Sequence, residues 1–83
     1  MKYLLVEVVE RDISTPEFFD THKEAYDRMC EYVAQVCDVS VDYLKENIDW
    51  LGDFDERTCV RKDCAWTERH GNNFDWKIFE INN

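Results

Sequence analysis

The spacing of apolar side chains changes period twice along this chain of 83 residues, and that change constrains the fold more than any other feature. Over residues 2–9 Leu4, Val6 and Val8 fall on one face of an extended segment and Tyr3, Leu5 and Val9 on the other. A two-residue period that is apolar on both faces describes a central strand. From Tyr26 the period becomes helical: Tyr26, Met29, Cys30, Val33, Val36 and Cys37 form one stripe, opposite Glu24, Asp27, Arg28, Glu31 and Gln35. Thr21 and Glu24 have the spacing of a capping box and place the start of this helix. Ser40 is a second N-cap, and Val41, Leu44, Ile48 and Leu51 continue at helical intervals up to Gly52. Beyond the acidic linker Asp53–Glu56 the pattern returns to strands, over 57–61, 64–69 and 74–81, with turns through Arg61-Lys62-Asp63 and His70-Gly71-Asn72-Asn73. The stretch from Glu10 to Asp20 holds the only proline, Pro16, and reads as a loop or a short second strand.

The expectation is therefore an α+β domain spanning 1–83, with an antiparallel sheet of about four strands and both helices on one face, in the order β-α-α-β-β-β. An apolar fraction of 45% supplies one core and argues against disorder, although 35% of the residues are charged. The N-terminal apolar run is interrupted at Glu7, too early for a signal-peptide core or a membrane span. This reading places the chain in a reducing cytoplasm, with Cys30, Cys37, Cys59 and Cys64 as thiols and no disulfide among them.

Nineteen carboxylates against ten Lys and Arg give a net charge of −9. Such a chain repels nucleic acid and anionic membranes, and is attracted to basic protein surfaces. The acids concentrate between Asp38 and Glu56, at 38, 42, 46, 49, 53, 55 and 56, where Lys45 is the only cation. A helix running to Gly52 would align Asp42, Glu46 and Asp49 on one exposed face, with Asp53 continuing the row. The same geometry sets Tyr43 and Trp50 beside those carboxylates, as on a binding surface steered by charge and anchored by aromatic rings. A solvated acidic face without a task is the competing reading of the row. Carboxylates repeating about 6 Å apart approach the spacing of backbone phosphates. Size, acidity, aromatic content and the cluster Asp42, Glu46, Asp49, Asp53, Asp55 and Glu56 resemble the small phage-encoded anti-CRISPR and anti-restriction proteins that imitate nucleic acid. The resemblance is one of class and implies an inhibitor that fills the basic groove of a nuclease effector. The partner-binding residues on this reading are those six acids with Tyr43, Trp50 and Phe54 as apolar anchors.

Two other readings compete. Cys59, Cys64 and His70, spaced C-x4-C-x5-H, would hold zinc in a regulatory or assembly module if a fourth ligand joined them. An antitoxin-like partner of a basic toxin would share the electrostatics of the first reading. With only Gly52 and Gly71 there is no glycine-rich phosphate loop. Ser14, Ser40, His22 and His70 supply no nucleophile with an orienting third group. The expectation is a binding protein, not an enzyme, with no cofactor. If the cations of the C-terminal half, Arg57, Arg61, Lys62, Arg69 and Lys77, shared one basic face, two copies would dock as a homodimer.

Overall fold

The computed structural model describes residues 2–82. Among these, seven strands and two helices follow in the order β1 (Lys2–Val9), β2 (Asp12–Ile13), β3 (Glu17–Phe19), α1 (His22–Cys37), α2 (Val41–Glu46), β4 (Asp53–Asp55), β5 (Thr58–Val60), β6 (Cys64–Arg69) and β7 (Asn72–Ile81). The strands form a single antiparallel sheet in the order β2-β1-β7-β6-β5-β4, with β3 also paired to β1. The α+β class stands. The expected sheet of about four strands does not, because β2, β3 and β4 add two or three residues each along the edges.

These three strands are too short to show an alternation, and β4 is acid-phenylalanine-acid. Both β2 and β3 pair with the same edge of β1, β2 near Val8 and β3 from Tyr3 to Leu5. Pro16 stands between them and, lacking an N–H, is suited to the break in that edge strand. The hairpin β6–β7 turns through His70 and Gly71, both with positive φ of 54° and 76°, as a two-residue turn of matching twist requires.

Helix α1 begins where the capping box places it, with the Thr21 hydroxyl accepting from the Glu24 N–H at 3.1 Å and donating to the Glu24 carboxylate at 2.9 Å. Its stripe of Ala25, Met29, Cys30, Val33 and Ala34 is buried against Leu5, Ala65, Trp76 and Ile78 of the sheet. The Trp76 indole N–H, carried into this core, donates to the Glu7 carboxylate at 2.7 Å. A buried polar pair, Thr58 and Thr67, meets across β5 and β6 at 2.7 Å, so each hydroxyl has a partner.

The second helix covers only Val41–Glu46. Ser40 caps it, and Leu44 is fully buried, while Val41 and Ile48 are half-buried and Leu51 is exposed. The Lys45 ammonium reaches back to Asp27 of α1 at 2.8 Å and fixes one helix against the other. No helix among the described residues is long and apolar enough to cross a membrane.

At the end of α1, Asp38 occupies the left-handed region with φ 58°, while the N–H of Val39 closes onto the Ala34 carbonyl at 3.0 Å. Glycine fits this position without steric penalty, and a carboxylate there opposes the negative end of the helix dipole. Asp38→Gly is expected to stabilise the fold by about 1 kcal/mol, a rise of several degrees in thermal melting.

Candidate functional site

Helix α2 stops at Glu46 because polar side chains capture the backbone that a longer helix would use. The Asn47 side-chain amide donates to the Tyr43 carbonyl at 2.8 Å, which also accepts the Asn47 backbone N–H at 3.2 Å, so the cap residue closes on the helix end twice. Two residues on, one oxygen of Asp49 accepts the N–H groups of Leu51 and Asp53, both at 2.9 Å. The Asp49 N–H donates to the Asp53 carbonyl and its own carbonyl accepts from Gly52, both at 3.0 Å. Such local bonding competes with the helix ladder. Gly52 completes the turn with φ 93°, and a Cβ there would collide with the Val60 carbonyl.

The expected helical row of carboxylates is therefore corrected. Asp42 and Glu46 remain one turn apart on α2, but Asp49 lies in the turn with its carboxylate engaged by backbone. Asp53 pairs with Cys59 and Asp55 with Thr58, across a shift in register that sends the two acids to opposite faces of the sheet. Asp55 is further engaged by the N–H of Arg57 at 2.8 Å and by the Arg69 guanidinium. Burial alone would raise the Asp55 carboxyl, yet the Arg57 N–H and Arg69 hold it below the usual carboxylate range. Of the six acids, Asp42, Glu46, Asp53 and Glu56 are exposed and take part in none of the side-chain ion pairs among the described residues.

The aromatic residues divide in the same way. Tyr43 leans edge-on against Phe54, ring centroids 6.0 Å apart, and Phe54 packs on the core as a half-buried residue. Trp50 is 90% exposed at the head of the Asp49 turn, with Leu51 beside it. Behind that turn runs an open trough of about 850 Å³, walled by His22, Lys23 and Tyr26 of α1 and by Val60, Arg61 and Lys62 at the β5–β6 turn. The His22 ring is held there by the Lys62 carbonyl at 3.0 Å and the Asp63 carboxylate at 2.9 Å. Burial pushes the Tyr26 phenol up to about 12, so it lines the trough as a neutral ring. Sequence reading missed this cationic wall because Lys23 and Arg61 are far apart along the chain and only the fold joins them.

The zinc reading fails on geometry. Cys64 and His70 stand at opposite ends of β6, about 20 Å apart at the rise of an extended strand. Cys59 faces Trp66 across the hairpin and not Cys64, and burial pushes its thiol up, away from the thiolate a metal takes. No group of three or more His, Cys, Asp or Glu among the described residues is arranged to hold a metal ion. The distance that separates Cys64 from His70 also removes a thiol–imidazole pair. All four cysteines are free, with Cys30 in the core as expected. The cations of the C-terminal half do not share a face: Arg61 and Lys62 line the trough, Arg69 meets Asp55, and Lys77 stands on the side of the sheet away from the helices.

Compared with known protein families, curated proteins and solved structures, the chain matches none.

Two outcomes follow from the local geometry. Gly52→Ala is expected to lose about 2 kcal/mol or more in denaturant unfolding, since the strained φ and the Val60 carbonyl act together. The Lys23 and Lys45 ammonium groups hold the Asp27 carboxyl below its ordinary value, and Asp55 is shifted the same way. A carboxylate depressed in the folded state adds stability that is complete above its unfolded pKa, about 3.9, and is lost as pH falls through the lower folded value. Urea midpoints measured down to about pH 2 should therefore fall less steeply below about pH 4 in Asp27→Asn/Asp55→Asn than in the parent.

Proposed function

We propose that this protein acts by occupying a basic surface on another protein, with the α2–β4 corner as its contact. The observation that carries the reading is Trp50, 90% exposed on a turn that Asp49 and Gly52 make rigid. A large ring presented without loss of backbone freedom is the usual anchor of an interface, seated in a pocket of the partner and ringed by polar contacts. Leu51 and Tyr43 extend the apolar centre, and Asp42, Glu46, Asp53 and Glu56 supply a surrounding negative field that steers a basic partner. The net charge of −9 turns nucleic acid away from the protein and makes a nucleic-acid-binding protein, such as a nuclease effector, the fitting partner class.

Occupation of a groove asks for no chemistry from this chain, no cofactor and no metal. On this reading the anti-CRISPR or anti-restriction type of inhibitor is the specific form, in a cytoplasm that keeps the four thiols reduced. Its contact is an aromatic anchor with acids around it and not a ladder of carboxylates in phosphate register. The cationic wall of the trough refines the partner: arginines or lysines opposite α2, and an acidic group opposite Lys62.

The test is affinity capture from the native host at low salt, followed by titration of the purified partner. Trp50→Ala is expected to weaken binding about thirtyfold, the scale of a hot-spot residue. The parent complex should also weaken steeply from about 0.1 M to about 1 M salt, as the screening length falls from about 10 to about 3 Å. Affinity that ignores both the ring and the salt removes the reading.

A further inference from the structure

The pairing register sorts the sheet into two unlike faces. Leu5, Trp76, Ile78, Ala65 and Thr67 point toward the helices and are buried. On the reverse lie Leu4, Val6 and Val8 of β1, Trp66 of β6 and Phe79 of β7. Ile13 opposite Val8, and Phe18 opposite Leu4, extend this surface across β2 and β3. No element among the described residues covers it: Ile13 is 70% exposed, Phe18 66%, Trp66 44% and Phe79 43%. A shallow depression of about 380 Å³ lies at its centre, lined by Val6, Val8, Cys64, Trp66, Lys77 and Phe79.

The charge on this face differs from the rest of the molecule. By register its ionisable carboxylates and cations are Asp53, Glu68 and Asp75 against Lys2 and Lys77, a sum of −1 on a chain of net charge −9. Lys2 lies at the margin, paired with Asp20. A basic partner steered to α2 would find an excess of only one acid here, and nucleic acid would find no excess of base. A second copy of the same face brings matching apolar surface and little net charge.

We infer that two copies of this chain pair through the helix-free face of the sheet, as a sandwich of two sheets. A two-fold contact repeats each interaction in both directions. With the axis in the interface plane crossing β7 at Trp76, Lys77 of each copy stands over Asp75 of the other, and the Val6, Trp66 and Phe79 side chains fill the space between. Five strand positions at about 4.8 Å and about seven residues at about 3.3 Å give a flat footprint of about 550 Å² per copy. Side-chain relief raises the accessible area above that, toward the roughly 800 Å² per partner of a standard interface. Interfaces at the low end of that range are commonly weak and transient, so a dissociation constant on the order of 10 µM sets the scale of the test.

Sedimentation equilibrium of the full chain over about 1–500 µM, a range bracketing that constant, tests this. The mass should rise to twice 10.0 kDa. It should do so at lower concentration in high salt, which screens the repulsion between like-charged copies and strengthens apolar contact. Phe79→Glu should weaken association at least about tenfold. Lys77→Asp should weaken it as well, and Lys77→Asp/Asp75→Lys should restore it, a recovery that a folding defect would not produce. Trp50→Ala, on a different surface, should leave the mass curve unchanged. A parent chain that stays at 10.0 kDa throughout overturns the inference. So does a dimer that survives Phe79→Glu, or one that is lost on removing Trp50.

Discussion

Eight consecutive residue pairs, from Lys2 with Ile81 to Val9 with Phe74, join the first strand to the last. The rest of the sheet is built outward from that seam: β1 carries β2 and β3 on its far edge, and β7 carries β6, β5 and β4 in turn. The Glu7–Trp76 hydrogen bond lies across it, beneath α1. Because side chains alternate along both strands, this one register decides which residues face the helices and which face away. A slip of β7 by one residue would exchange Trp76 and Ile78 for Lys77 and Phe79 and bring Lys77 into the core.

The two surfaces of the molecule follow from that register and from local chemistry at the α2–β4 corner. On the helix side, acids, the Trp50 turn and the cationic trough lie close together. On the reverse, apolar side chains and nearly balanced charge replace them. The acidity of the chain is thus not uniform, and a description by net charge alone would miss a face on which the charges nearly balance. The corner is also where internal bonding and exposure diverge: Asp49 and Asp55 are engaged by the protein's own groups, whereas Trp50 touches little of it.

Long periodic segments were legible in the sequence. The capping box fixed the start of α1, and the strands expected at 64–69 and 74–81 correspond to β6 and to most of β7. The misses were short or polar. A two-residue strand has no period to read, and β4, with acids on both sides of Phe54, resembles a linker. The spacing of Ile48 and Leu51 predicts a helix up to Gly52, but Asn47 and Asp49 offer the backbone closer partners. That signal was present, since Asn and Asp just ahead of Gly52 are residues that end helices and form turns. With the helix shortened, the acidic row dissolved, while the exposure of Trp50 rose from one position on a helix face to the most prominent ring of the molecule.

Joining the outermost segments of the sequence at the middle of the sheet has a consequence for biosynthesis. A ribosome delivers β1 first, and its neighbour β7 emerges only after both helices and every other strand have been made. Until then one whole edge of Tyr3–Val9 has no ladder partner, so the nascent chain carries an apolar strand open to pairing with other chains. Products that terminate before Asn72 would lack the strand that covers this edge.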